Sequence, residues 1–208
     1  MNKHRSFLLV LALVMIFTCA VSGVLAWLSA STTEVTNTFA PSSIGLALDE
    51  AEYDASTNSL KTNRVMSNSG YKLIPGWTLP KDPTVTVSAG SIDCYVFVEI
   101  TETNNPKNYL DYAVASGWTQ GKGTTGANAD GVPTNVYYRT VTSSTSAQPF
   151  QILADNQVTV LGSLTQTELE AIGNNKPTIQ FKAYAVQMYE GYDDAFQPGE
   201  AWSHRTGA

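Results

Sequence analysis

Asp93-Cys94-Tyr95-Val96-Phe97-Val98-Glu99-Ile100-Thr101 decides the fold. Successive side chains of a strand point to opposite faces. Read that way, Cys94, Val96, Val98 and Ile100 share one face, and Tyr95 and Phe97 share the other. β-branched and aromatic residues at this spacing are the signature of a strand.

The same period extends outward. Ser43 to Asp49 places Ile44, Leu46 and Leu48 together, and Thr84 to Val87 alternates Thr with Val. Asn135 to Thr142 sets Val136 and Tyr138 opposite Tyr137, Arg139 and Val141. Phe150 to Leu153 and Gln157 to Leu161 are shorter runs. Pro177 to Tyr189 is the longest, with Ile179, Phe181, Ala183 and Ala185 on one face and Tyr184, Val186 and Met188 on the other. About seven or eight strands separated by Gly, Pro, Asn and Ser predict an all-β, antiparallel sandwich. Helix is scarce. Thr165 to Ile172 reads as one short helix, with Thr165 and Glu168 spaced as a capping box. Pro75-Gly76 reads as a turn, with proline first and glycine supplying the positive φ. Gly117 to Pro133, with five glycines, reads as a long flexible surface loop inside one domain rather than a linker.

Composition excludes several functions. The 208 residues are 43% hydrophobic, with 4 Trp, 10 Tyr and 7 Phe, too apolar for a disordered chain. Eighteen acidic and 12 basic residues give a net charge of −6, so nucleic acid is not a partner. Two cysteines do not make a disulfide scaffold.

The N-terminus stands apart. Lys3, His4 and Arg5 precede an uncharged run from Phe7 to Leu28, and Ser22-Gly23-Val24-Leu25-Ala26 is a small-residue region with Val24 and Ala26 at the positions a signal peptidase reads. The expectation is a signal peptide over residues 1–26, cut between Ala26 and Trp27, with a cut after Ala30 as runner-up. The alternative is an uncleaved anchor, since about 20 apolar residues span a bilayer. Cleavage would leave 182 residues (27–208) as a single sandwich domain with 10 basic and 18 acidic residues, a net charge of −8. Cys94 would be the one remaining cysteine.

No catalytic constellation is visible. His204 is the one histidine beyond the signal; there is no H-E-x-x-H, no G-x-S-x-G and no glycine loop cradling a phosphate. Cys94 with His204 is a formal pair, but Cys94 lies among Val96, Val98 and Ile100 and reads as a small buried hydrophobe. Asp193, Asp194 and Glu200 lack the alternating ligands of a calcium loop and read as a solvated turn. Leu79-Pro80-Lys81-Asp82-Pro83 is only superficially like a sortase signal. Tyr95, Phe97, Tyr137, Tyr138, Tyr184 and Tyr189 read as cross-strand packing pairs, with a ligand face as the alternative. Catalytic, cofactor and metal sites are therefore expected to be none.

Three stretches carry a family resemblance. They are Ser22-Gly23-Val24-Leu25-Ala26-Trp27 with Glu34-Val35-Thr36-Asn37-Thr38-Phe39 and Ile44 to Glu50; Tyr71-Lys72-Leu73-Ile74-Pro75-Gly76 through Leu79 to Pro83, Val85 to Val87 and Asp93 to Val98; and Phe181-Lys182-Ala183-Tyr184-Ala185-Val186-Gln187. In this order they resemble the TasA/camelysin family of Gram-positive secreted proteins, whose signals are cut by a SipW-type peptidase. The segment from about Thr103 to Thr165 carries no motif of that family. The resemblance implies a jelly-roll sandwich, export to the cell surface or extracellular matrix, and assembly into biofilm fibres. The implied partners are signal peptidase, further copies of the chain, and other matrix or anchor proteins. Camelysin-like members have been classed as metalloproteases, but the ligands for that are missing here.

Position suggests how copies would join. Trp27 to Phe39 is freed by the cut, is rich in Ser and Thr, and puts Trp27, Val35 and Phe39 on one face of a strand. It is a candidate donor strand for the open sheet edge of a neighbour. The competing functions are a monomeric binding module for a glycan or host protein, using the aromatic faces or the Gly117–Pro133 loop, and a secreted hydrolase.

Overall fold

The computed structural model describes residues 3–25, with side chains to 17, and residues 42–205. The first segment is a helix, α1 (Lys3–Leu25), whose described large apolar side chains, Phe7 to Phe17, are exposed. Among the described residues no helix is long and apolar enough to cross a membrane. The cleavage site, Ala26 and Trp27, and the candidate donor strand with Val35 and Phe39 lie outside the described residues.

In the second segment the strands are, in chain order, β1 (Leu46–Asp54), β2 (Ser59–Val65), β3 (Thr78–Pro80), β4 (Thr84–Val87), β5 (Cys94–Thr103), β6 (Leu110–Asp111), β7 (Thr119–Gln120), β8 (Val136–Val141), β9 (Gln148–Gln151), β10 (Gln157–Val160) and β11 (Thr178–Gln187). Two short helices are α2 (Gln166–Ile172) and α3 (Pro198–Ser203). All pairing is antiparallel: β2-β1-β4-β9 and β11-β5-β8-β7 form four-stranded sheets, and β3-β10-β6 a smaller one.

The alternation in β5 sets the layering. Its Cys94, Val96, Val98 and Ile100 enter a core with Val85 and Val87 of β4, Val141 of β8 and Ile152, flanked by Leu46 and Leu48 of β1 and Ile179 and Phe181 of β11. Side chains from both four-stranded sheets meet there, which makes the architecture an all-β sandwich. Each fully buried Val contributes about 1.5–3 kcal/mol. The other face of β5 is buried too. Tyr95 and Phe97 join Val136, Tyr184, Val186, Val132, Ala201 and Trp202 in a second core outside the sandwich.

The cover of this second core is α3, which the periodicity did not reveal. A six-residue helix has too few turns to show a period of 3.6. Gln197 and Glu200 form its capping box, and Pro198 stands in its first turn. Gly199 permits its close seat: a Cβ there would come 2.4 Å from the Asp130 carbonyl oxygen.

That contact also changes the reading of Gly117 to Pro133. The segment carries β7 and a bridge from Gly123 to Val132, and Val132 is fully buried. One carboxylate oxygen of Asp130 accepts from the amides of Lys122 (2.9 Å) and Val132 (3.0 Å), which folds the segment back on itself. Other boundaries also differ. β1 runs past Asp49 to Asp54, with its pairing to β2 shifting register between Ala51 and Tyr53. β9 begins at Gln148 and ends at Gln151; its Pro149, lacking an N–H, is tolerated because β9 is a terminal strand of its sheet. The α2 capping box forms as expected, with Glu168 N donating to Thr165 Oγ1 (3.3 Å) and Thr165 N donating to Glu168 Oε2 (2.8 Å). The Pro75-Gly76 turn closes with Trp77 N donating to Ile74 O (3.0 Å), Gly76 at φ 79°.

Candidate functional site

Beyond Asp49, β1 parts from β4, and side chains satisfy the amides left unpaired. Ala51 N donates to Asp82 Oδ1 (2.6 Å) and Tyr53 N to Asn68 Oδ1 (2.8 Å), while Asn68 Nδ2 donates to Ala51 O (2.8 Å). The other Asp82 oxygen accepts from Arg64 (2.7 Å), whose guanidinium also grips Asp49 Oδ1 (2.7 and 2.9 Å). The turn between β3 and β4 is thereby tied to both β1 and β2.

Lys81 stands at the centre of this network. Its Nζ pairs with Glu50 Oε2 at 2.7 Å, with the two side chains only 14% and 10% exposed. It also lies 5.5 Å from the centre of the Tyr71 ring and 5.8 Å from that of Phe181. An ammonium over aromatic faces gains about 0.5–2 kcal/mol, more as water is excluded. Tyr71 stacks on Tyr53 at 4.1 Å, and its buried hydroxyl has no hydrogen-bond partner among the described residues. Burial first, then the Glu50 charge, pushes that phenol above its ordinary range.

Two cavities meet at Lys81. One, of about 580 Å³, is walled by Tyr71, Leu79, Leu110, Val158, Ile172 and Ile179. The other, of about 510 Å³, runs between Leu48 to Glu50 of β1 and Thr178 to Lys182 of β11, beside the exposed Met66. Both include Asn68, Lys81, Thr178 and Ile179, so together they form one groove. β11 is terminal in its sheet: one side pairs with β5 throughout, and the other side pairs with no strand among the described residues. A groove of mixed polar and apolar lining beside an open strand edge can accept an extended segment, through main-chain hydrogen bonds and pockets for alternate side chains.

The candidates for chemistry are dispersed. Cys94 is fully buried, and burial, with the Asp93 charge second, pushes its thiol up to about 11. It faces the first core, whereas the His204 ring packs at 5.1 Å on Phe196, which belongs to the second core on the other face of β5. The Cys94–His204 pair is not assembled. Glu200 serves as the α3 cap, accepting from Gln197 N at 2.8 Å. Of the aromatics, Tyr95, Phe97, Tyr138 and Tyr184 pack in the second core, with Trp202 5.3 Å from Phe97 and 5.4 Å from Tyr184. Tyr137 packs on the first core, and Tyr189 is exposed. The groove residues Glu50 and Lys81, and Arg64, which grips Asp49 and Asp82, carry no motif that marks them as a site in the sequence. Their one signal is Lys81-Asp82 standing between two prolines, in a chain with 14% charged residues.

The architecture thus defines an antiparallel β-sandwich with a groove along one open edge. Searches of family models, curated proteins and solved structures each returned no match.

Proposed function

We propose that this protein is a secreted structural subunit of an extracellular fibre or biofilm matrix, without enzymatic activity, built on a jelly-roll sandwich. In this reading residues 1–26 are a signal peptide cut between Ala26 and Trp27, and Trp27–Phe39 of one copy adds to the β11 edge of the next. The observation that carries it is the open β11 edge beside the Lys81 groove. Trp27, Val35 and Phe39 supply alternate apolar side chains for that groove. Head-to-tail addition does not close on itself and gives filaments. The resemblance to TasA/camelysin proteins supports the same reading, with other matrix or anchor proteins as further partners.

The test compares the chain beginning at Trp27 with one lacking Trp27 to Glu34, and with Val35→Pro, by electron microscopy and sedimentation. Filaments from the first and folded monomers from both variants are expected. Filaments from the variants, or a full mature chain that stays monomeric, would overturn the reading.

A further inference from the structure

A second concavity lies toward the β7 and β8 side of the sandwich. It has a volume of about 810 Å³ and shares only Thr101 with the walls of the β11 groove. Its lining is of a different kind. Three half-buried rings, Tyr112, Trp118 and Tyr137, stand among the exposed Thr101, Gln120, Thr134 and Asn135.

Two rings are fixed by their polar ends. The Tyr112 hydroxyl donates to the Glu102 carboxylate. Trp118 Nε1 donates to Gln151 O at 2.7 Å, and the Arg139 guanidinium lies 5.4 Å from its ring centre. Rings held in advance lose little freedom when a ligand settles on them. The amides are also oriented. Gln120 Nε2 donates to Thr134 O (2.8 Å) and Asn135 Nδ2 to Ile100 O (3.5 Å), a use of the N–H groups that leaves both amide oxygens as acceptors.

Charge selects among ligands. Glu102 and Lys107 pair at 3.3 Å, so the lining carries no net charge. The whole chain, at −6, repels polyanions. β7, the terminal strand beside the cleft, has two residues, too short an edge to hold a peptide by strand addition. Fixed aromatic faces with neutral acceptors match a pyranose, which presents an apolar C–H face and a rim of hydroxyl donors.

We propose that this cleft binds an uncharged oligosaccharide, with the Trp118 ring under a sugar face and the Gln120 and Asn135 amide oxygens accepting from its hydroxyls. A volume in the ordinary range for ligand sites, about 300–1,000 Å³, accommodates a short run of sugar rings. Binding here is independent of strand exchange at β11, so a chain lacking Trp27 to Glu34 binds equally well.

The experiment is calorimetric titration of the purified chain with neutral hexaoses of glucose, mannose and N-acetylglucosamine, and with a hexagalacturonate and a panel of extended peptides. A dissociation constant of about 1 mM or tighter for at least one neutral series is expected. Trp118→Ala should abolish it. The double variant Gln120→Ala/Asn135→Ala should weaken it about tenfold or more while the chain still unfolds in a single cooperative transition, lowered only by the two lost hydrogen bonds to Thr134 O and Ile100 O. The proposal is overturned if no neutral hexaose binds, if the double variant binds as tightly as the parent, or if the hexagalacturonate or a peptide is preferred.

Discussion

Replacing Trp202 by alanine is expected to lower the stability of the sandwich domain by about 4 kcal/mol. Trp202 is 6% exposed and packs on Phe97 and Tyr184, with the Arg205 guanidinium 3.7 Å from its ring centre. Deleting a buried aromatic side chain costs about 3–5 kcal/mol, because the lost transfer energy is joined by the cavity left behind. The cavity cannot close easily here. Gly199 sits close against Asp130 and Gly131, and the Tyr95 hydroxyl donates to Phe196 O (2.9 Å) just before the helix, so the N-terminal end of α3 is held in place. With a urea dependence of about 2 kcal/mol per molar, the midpoint should fall by about 2 M, followed by far-ultraviolet circular dichroism. Tyr192→Ala is the control, since that side chain is 98% exposed and its loss should move the midpoint little. A shift below about 0.5 M for Trp202→Ala would refute the packing of α3 over the second core.

Thr165→Ala removes the reciprocal cap of α2 and is expected to cost about 1 kcal/mol, read as faster amide exchange over Gln166–Ile172. Lys81→Met strands the Glu50 carboxylate and should destabilise by about 3 kcal/mol, whereas Lys81→Met with Glu50→Leu should recover most of that in a denaturant double-mutant cycle. The Cys94 thiol should resist alkylation at pH 8 in the folded chain and react in urea. Its ordinary value is 9.0 and its folded value about 11, so the folded state holds the proton more tightly. Stability from this group is therefore complete below pH 9 and lost as pH rises toward 11, and Cys94→Ala should flatten that part of the stability profile.

How far the sequence carried is seen in particular residues. β4 has the bounds its alternation predicted, and the two faces of β5 point into two separate cores as Cys94/Val96/Val98 and Tyr95/Phe97 required. β2 stayed hidden because Ser59-Leu60-Lys61-Thr62-Asn63-Arg64-Val65 is almost wholly exposed and leaves no apolar stripe. The end of β1 stayed hidden because Asp49-Glu50 reads as the polar close of a strand, although Glu50 is buried against Lys81.

Local rules determined what was legible from the sequence by itself. The strand period of β5, β8 and β11, the α2 capping box, the Pro75-Gly76 turn and the buried character of Cys94 each depend on residues a few positions apart. Tertiary structure alone decided the rest. The order β2-β1-β4-β9, the seat of α3 and the groove around Lys81 depend on contacts such as Lys81 with Glu50, 31 residues away, and Tyr95 with Phe196, 101 residues away. Period and propensity say which face of a strand is apolar, but not which distant segment will cover it, because that choice is made by the packing of the whole chain.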